Sequence, residues 1–333
     1  MQQEGDEMSV NAEASNRVVA APASGAKRKK SGFFREIRSN RVLYAMFIPI
    51  TIYFIIFAYI PMAGIIMAFK DFNYNDGIFG SPWSGFSNFD YFFNSGKAFL
   101  VTRNTIIYNV IFLTCYTVFS IIAAVFISEI TKKWFKKISQ TMMFLPYFIS
   151  WVTVSAFVYN FLNYEYGIVN KILAHFSIAP LDIYSNTSYW YVLLPFLYVW
   201  KWVGYGSVLY LAAIVGIDQE VYEAATIDGA TRFQKITKIT LPLLKPTMII
   251  LILLGLGRIM RGEFDMFYQL IGNNGTLMDA TDIIDTLAFR SLVGSADFGM
   301  ASAVGVYQSV LTLIIILTAN WLVRRYDKEQ ALF

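Results

Sequence analysis

Cysteine and histidine are almost missing from this 333-residue chain, which has one of each, Cys115 and His175. A lone cysteine excludes an intramolecular disulfide and argues against a thiolate cluster around a metal. Imidazole catalysis or metal binding would rest on His175 alone, and a plain loop position accounts for that residue better. Charge is scarce as well: Asp, Glu, Lys and Arg make up 15% of the residues, against about 25% in soluble domains. That excludes an ordinary soluble globular protein. Several enzyme signatures are also missing, among them the GxxxxGK(S/T) phosphate loop, the nucleophile elbow, CxxC and HExxH. ATP binding and hydrolysis through a phosphate loop are therefore excluded on this chain. It is expected to be no enzyme, with no catalytic, cofactor or metal site of its own.

What the chain has in quantity is apolar surface, with 56% hydrophobic and 17% aromatic residues. This is the composition of a polytopic membrane protein. Six runs are long enough to cross a bilayer, which takes about 20 residues: 42–69, 105–127, 142–162, 189–216, 243–259 with a possible extension to 267, and 304–323. Backbone groups in hydrocarbon must pair within the chain, so each run is expected to be a helix, and the fold class all-α. Pro146 is expected to kink the third run. Residues 1–26 have no apolar period and read as a disordered tail. Lys27-Arg28-Lys29-Lys30, Arg35, Arg38 and Arg41 continue it as a basic approach to the membrane. The run after them is too long for a signal peptide and no small-residue cleavage site follows it, so the first helix is expected to stay uncleaved. The division that results is a basic cytoplasmic tail at 1–41, a transmembrane domain at 42–323 and a cytoplasmic C-terminal tail at 324–333.

Basic residues alternate between the connections. Lys132, Lys133, Lys136 and Lys137 follow the second run, and Arg232, Lys235, Lys238 and Lys245 lie between the fourth and fifth. Arg324, Arg325 and Lys328 close the chain, while the intervening connections are acidic or nearly neutral. The excess of Lys and Arg marks the cytoplasmic side, which puts both termini and the connection 218–246 there.

That connection, DQEVYEAATIDGATRFQKITKITLPLLKP at its core, is too polar to cross a membrane and too regular for a linker. Asp218 stands at an N-cap position, and Glu220 and Glu223 fall where the helix dipole favours negative charge. Val221, Ala224, Ala225 and Asp228 keep helical spacing. Gly229 supplies the left-handed residue that ends a helix most easily. Thr231 is placed to cap a second short helix, and Leu241-Pro242 to break it, because proline lacks the N–H and clashes with the preceding turn.

Glu223-Ala224-Ala225, Gly229, Ile239 and Leu241-Pro242 together resemble the EAA loop of ABC importer permeases, and Ile227-Asp228-Gly229-Ala230 resembles that of the carbohydrate-uptake branch. Phe264-Asp265-Met266-Phe267-Tyr268-Gln269, Asp282-Ile283-Ile284-Asp285-Thr286 and Phe289-Arg290 are similar to the permeases for complex oligosaccharides. The resemblance covers the chain from about Arg41 onwards. It implies a type I ABC importer permease fold of about six transmembrane helices with a cytoplasmic coupling helix. It also implies a bacterial inner-membrane subunit that passes an oligosaccharide delivered by an extracellular solute-binding protein. The further partners implied are a second permease subunit, normally a different chain, and an ATPase dimer carrying ATP and Mg. Membrane lipid surrounds the subunit, and no nucleic acid is expected. Glu223 would pair with an ATPase arginine, Ala224, Ala225 and Asp228 would lie at the contact, Gly229 would permit the turn, and Ile239, Leu241 and Pro242 would anchor the return to the membrane. Alternatives are an ABC permease for another solute and a secondary transporter, although the latter has no use for a coupling loop and should show paired broken helices.

Two cations fall inside the apolar runs. Lys201 lies about 18 Å along its helix from Tyr189, and Arg258 about 20 Å beyond Lys245. Ionisable groups at such depth face a cavity or a partner. One reading is an electropositive cavity for an acidic oligosaccharide, with Trp151, Trp200, Trp202 and Tyr205 stacking on sugar rings and Lys201 and Arg258 attracting carboxylates. The other is that these residues are structural, with Lys201 bonded to backbone carbonyls or to an acid of the partner permease, and with the aromatics serving the membrane interface.

Overall fold

The structure, a computed structural model, describes residues 40–326 and residue 331. The tail expected at 1–41 therefore lies almost wholly outside the described residues, as does most of 324–333; Arg324, Arg325 and Tyr326 continue the last helix. The described residues fall into two units, divided between residues 62 and 63. Within the first, the described residues form the start of an apolar helix, α1 (Arg41–Phe69), with a widened turn at Ile55–Tyr59.

The second unit is helical, with a single isolated bridge, Lys70–Trp83, among its described residues. In chain order come α2 (Ser87–Asn94), α3 (Lys97–Ser128), α4 (Lys133–Phe148) and α5 (Trp151–Leu162). They are followed by α6 (Ile168–His175), α7 (Thr187–Val215), α8 (Gln219–Ile227) and α9 (Arg232–Leu256). The last four are α10 (Phe264–Ile271), α11 (Gly275–Thr281), α12 (Ile284–Ser295) and α13 (Phe298–Tyr326). Five helices, α1, α3, α7, α9 and α13, are long and apolar enough to cross a membrane, or six if α4 and α5 count as one broken span.

The α3–α7 pair is the backbone of this unit, and glycine decides its closeness. A Cβ on Gly206 would fall 2.2 Å from Ser120 Oγ and 2.7 Å from the Tyr116 ring. On the neighbouring face, a Cβ on Gly204 would fall 1.9 Å from the Met143 carbonyl oxygen, so α4 also runs directly over α7. Tyr210, Leu211 and Ile214 of α7 pack with Ile121, Ala124 and Ile127 of α3 and Leu244 of α9. At the other end of α7, Trp190, Leu194 and Leu197 meet Tyr108 and Phe112 of α3, Trp151 and Val154 of α5, and Met266, Phe267 and Leu270 of α10.

A polar network ties the α11–α12 connection to α3. Asn104 Nδ2 donates to the carbonyls of Asp279 (3.2 Å) and Asp282 (3.0 Å), Tyr108 OH to that of Ala280 (3.0 Å), and Ile284 N–H to Thr105 Oγ1 (3.0 Å). Arg290 pairs with Asp282, and Asp285 accepts from Gly262 N–H (2.6 Å) and Gln308 Nε2 (3.0 Å). Phe289 rests on Phe264 and Tyr268 at 5.0 and 4.9 Å. The three sequence stretches that resemble oligosaccharide permeases thus lie in one packed assembly.

The sequence expectations need three corrections. The third run is not one helix: at the proline expected to kink it, α4 and α5 part at a 93° bend. Proline at 146 and a 3₁₀ turn at Leu145–Phe148 end α4, and the Ser150 side chain then caps α5 from outside the helix. Leu241-Pro242 does not break its helix, because the turn just before it, Ile236–Thr240, is a π turn in which Leu241 N–H reaches back to the Ile236 carbonyl. The wider turn gives the proline ring room and lets α9 continue. Finally, the fifth span stops at Leu256 and does not reach 267; turns lead to a separate α10. Arg258 therefore sits exposed in the connection after α9 and not within a span.

Candidate functional site

Residues 218–246 build a surface held in shape from within. Asp218 accepts from Glu220 N–H (3.0 Å) and so starts α8. Gly229, at φ +75°, ends it: Ala230 N–H bonds the Ala225 carbonyl (2.9 Å) and Gly229 N–H the Thr226 carbonyl (3.1 Å). This pair of bonds is the Schellman arrangement, which satisfies carbonyls the helix end leaves open. Thr231 and Gln234 form a reciprocal capping box that starts α9. Tyr222 OH meets Thr240 Oγ1 at 2.8 Å and Lys235 Nζ meets Thr226 Oγ1 at 2.6 Å, which brace α8 against the start of α9.

Because these bonds are internal, the opposite face of α8 is left open. Glu223, Ala224 and Asp228 are exposed, Ala225 is half-buried, and Ile227 and Phe233 project with 87% and 74% exposure. Ile239 and Leu241 are half-buried and Pro242 is exposed. Two apolar side chains thus stand out beside an exposed carboxylate. Sequence reading singled out Ile227 only as part of Ile227-Asp228-Gly229-Ala230 and gave no place to Phe233, an apolar residue in an otherwise polar stretch.

A second cluster lies at the α4–α5 break. Lys201 of α7 reaches the backbone carbonyls exposed at the break, one of which, that of Pro146, also accepts from Ile149 N–H (3.1 Å). The lysine is buried at 6% exposure and donates to the carbonyls of Pro146 (3.4 Å), Tyr147 (3.2 Å) and Ile149. Its ammonium also stands 5.3 Å from the centre of the Trp151 ring, and Trp151 Nε1 donates to Glu263 (3.4 Å). Glu263 feels the charges of Arg258, Lys201 and Asp265. Of the two readings for Lys201, the geometry matches the backbone-carbonyl one, and the lysine is not the unpartnered cation of an electropositive cavity.

The aromatics divide. Tyr205 stacks on Tyr147 (5.1 Å, 16°), and Trp202 meets the same Tyr147 edge-on (5.4 Å). Trp202 Nε1 is buried without a hydrogen-bond partner among the described residues. Trp151 belongs to the core, while Trp200 is exposed outside this ring group. Tyr147 was not foreseen as a member of this cluster, since only the bend brings it to α7, whereas Glu263, which the sequence offers as a partner for Arg258, is met by Trp151.

Among the described residues no group of three His, Cys, Asp or Glu side chains is placed to hold a metal ion. The described residues present an exposed helix face beside one end of α7 and an aromatic, partly charged cluster about halfway along it.

Comparison with known proteins gives these features a family. Residues 116–328 match the sequence profile of the family described as "Binding-protein-dependent transport system inner membrane component". The chain is 32% identical to protein LplB of Bacillus subtilis over 90% of this chain and 94% of that protein. It is 31% identical to the polygalacturonan/rhamnogalacturonan transport system permease protein YteP of the same organism, over 93% and 97%. Its fold matches a chain of a bacterial alginate ABC transporter, solved with an alginate pentasaccharide-bound periplasmic protein. There the TM-score is 0.80 and the identity 33%, over 90% of this chain and 99% of that one.

Proposed function

The chain belongs to the family of binding-protein-dependent transport system inner membrane components, and we propose that it is the oligosaccharide-translocating permease subunit of an ABC importer in a bacterial cytoplasmic membrane. The observation that carries this reading is the open face of α8: an exposed helix, capped at both ends and braced from behind, between two spans of a chain whose relatives are permeases. A rigid, short helix seated in a groove of an ATPase passes a rigid-body movement to the membrane helices attached to it. Glu223 makes the charged contact, Ala224 and Ala225 allow close approach, and Ile227 and Phe233 fill apolar pockets of the groove. Asp228, Gly229, Ile239, Leu241 and Pro242 shape the return. This puts residues 218–246 and both termini in the cytoplasm, as the Lys and Arg distribution requires. ATP and Mg are bound by the partner ATPases, and a second permease subunit completes the pathway.

The cargo class is an oligosaccharide that carries carboxylates. Its support is the polygalacturonan and alginate named for two of the relatives. On this chain Arg258 is the exposed cation beside the cluster, whereas Lys201 is engaged by carbonyls. Trp200, Trp202 and Tyr205 offer the aromatic faces on α7, with Trp151 behind them. The test is uptake of labelled galacturonate oligomers by cells with and without this gene. Uptake lost with the gene and restored by it is expected. Unchanged uptake of acidic and neutral oligosaccharides alike after deletion would refute the reading.

A further inference from the structure

Helices α5 and α10 run side by side from a common start, where Trp151 meets Glu263. Eight residues further along α5, about 12 Å at 1.5 Å per residue, Tyr159 and the end of α10 border a separate cavity of about 390 Å³. That size falls within the range of small-molecule sites, about 300–1,000 Å³. The cavity adjoins the N-terminal end of α7, and residues 218–246 lie at its other end, about 42 Å away along the helix. Among the lining residues Tyr159, Tyr164, Tyr184, Asn163, Gln269 and Asn274 there is no charged side chain.

The lining has rigid and free parts. Asn274 donates to the Tyr184 carbonyl (2.8 Å) and its own oxygen caps α11, so it fixes a wall. Tyr184 is held edge-on between Tyr159 (5.5 Å) and the buried Trp190 (5.3 Å). Burial, with the neighbouring phenols of Tyr159 and Tyr166 adding to it, pushes the Tyr184 phenol up to about 12, so it keeps its proton to donate. Asn163 spends its side-chain oxygen on Glu165 and Tyr166 N–H groups, and its side-chain NH2 has no partner among the described residues. Gln269, half-buried, has no hydrogen-bond partner among the described residues. Tyrosine rings with unspent neutral amides suit a molecule with apolar C–H faces and many hydroxyls.

We propose that this cavity is a second sugar-binding subsite, which holds one ring of the oligosaccharide while another part of the same chain occupies the Trp202–Tyr205 region. The inference rests on the transport reading above and adds a prediction about length: only an oligomer long enough to reach both places uses the cavity. The experiment uses the complete importer, with its partner permease, ATPases and binding protein, in proteoliposomes. The probes are digalacturonate and pentagalacturonate. Gln269→Ala removes an amide that makes no internal bond, and Tyr164→Ala removes a ring that is half exposed, so both variants should assemble. Each is expected to raise the half-saturating concentration of the pentamer about three- to tenfold, the size of one lost neutral hydrogen bond or stacking contact, and to leave that of the dimer unchanged. No change for the pentamer would overturn the subsite. An equal loss for both oligomers would also overturn it, in favour of a docking place for the binding protein. A wild-type importer that carries neither oligomer would instead refute the transport reading, and the subsite with it.

Discussion

Lys201→Met is the most informative substitution at the helix break. Methionine has nearly the length of lysine and leaves the packing around α7 intact, so the change isolates the ammonium. In the native protein that ammonium serves the carbonyls of Pro146, Tyr147 and Ile149. A hydrogen bond to a charged group contributes about 1.5–3 kcal/mol, and a buried carbonyl left unpaired costs about 1–3 kcal/mol. The three bonds share one donor group and do not add, and removing a buried charge recovers part of its desolvation cost. The expected net loss is therefore about 2–4 kcal/mol. For a chain of this size, where 1 kcal/mol moves the midpoint by roughly 2–4 °C, the shift is about 4–16 °C in fluorescence-monitored unfolding of the detergent-solubilised complex. Hydrogen exchange should rise at residues 145–150 and stay unchanged in α13. Uptake of acidic and neutral oligosaccharides should fall together, because the break loosens whatever the cargo. A Lys201→Met importer that melts with the wild type but has lost only acidic cargo would refute the reasoning and return Lys201 to direct substrate contact.

Other positions separate coupling, strain and packing. Glu223→Lys reverses an exposed charge that makes no internal bond, so the protein should assemble and bind lipid normally while ATP hydrolysis no longer drives uptake; transport at the normal rate would contradict the docking role of α8. Gly229→Val meets no atom within 4 Å but must adopt φ +75° with a branched side chain, which costs at least about 1–2 kcal/mol; coupled transport should drop while Gly229→Asn, read in the same ATPase-coupling assay, retains most of it. Gly206→Leu drives a side chain into Ser120 and Tyr116 and should cost more than the roughly 1–3 kcal/mol of ordinary overpacking, visible as loss of folded protein in the membrane fraction. Arg258→Gln should lower uptake of galacturonate oligomers more than that of neutral oligosaccharides, and an equal effect on both would remove Arg258 from the pathway.

The parts of this protein that were legible in its sequence are those governed by neighbouring residues. The start of α8 at Asp218, its end at Gly229 and the cap at Thr231 depend on side chains reaching a few positions along the chain, and all three stand where spacing placed them. The apolar runs were equally legible, since bilayer thickness sets their length whatever their neighbours are. Proline was read too simply at both of its critical positions. At 242 a π turn absorbs it, and at 146 it takes part in a 93° break. The residues themselves look alike in the two places. What differs is distant: at the 146 break Lys201, 55 positions on from Pro146, donates to the carbonyls of Pro146, Tyr147 and Ile149, whereas at 242 the helix satisfies its own groups.

That difference explains why the candidate pathway was the least legible part. A lysine in an apolar run signals an expensive group, but its cost is the same whether its partner is a sugar carboxylate or a backbone carbonyl. The sequence holds the lysine and the proline, and only the packing of α4 across Gly204 brings the two together. Once they meet, each accounts for the other: the break needs a donor and the buried ammonium needs acceptors. The same packing turns Trp151 toward Glu263 and leaves Tyr147, Trp202 and Tyr205 as one aromatic group. A strut that holds the break therefore also sets the position of the rings beside it. Lys201 can govern transport without touching cargo, and this is why stability and substrate selectivity must be measured on the same variants.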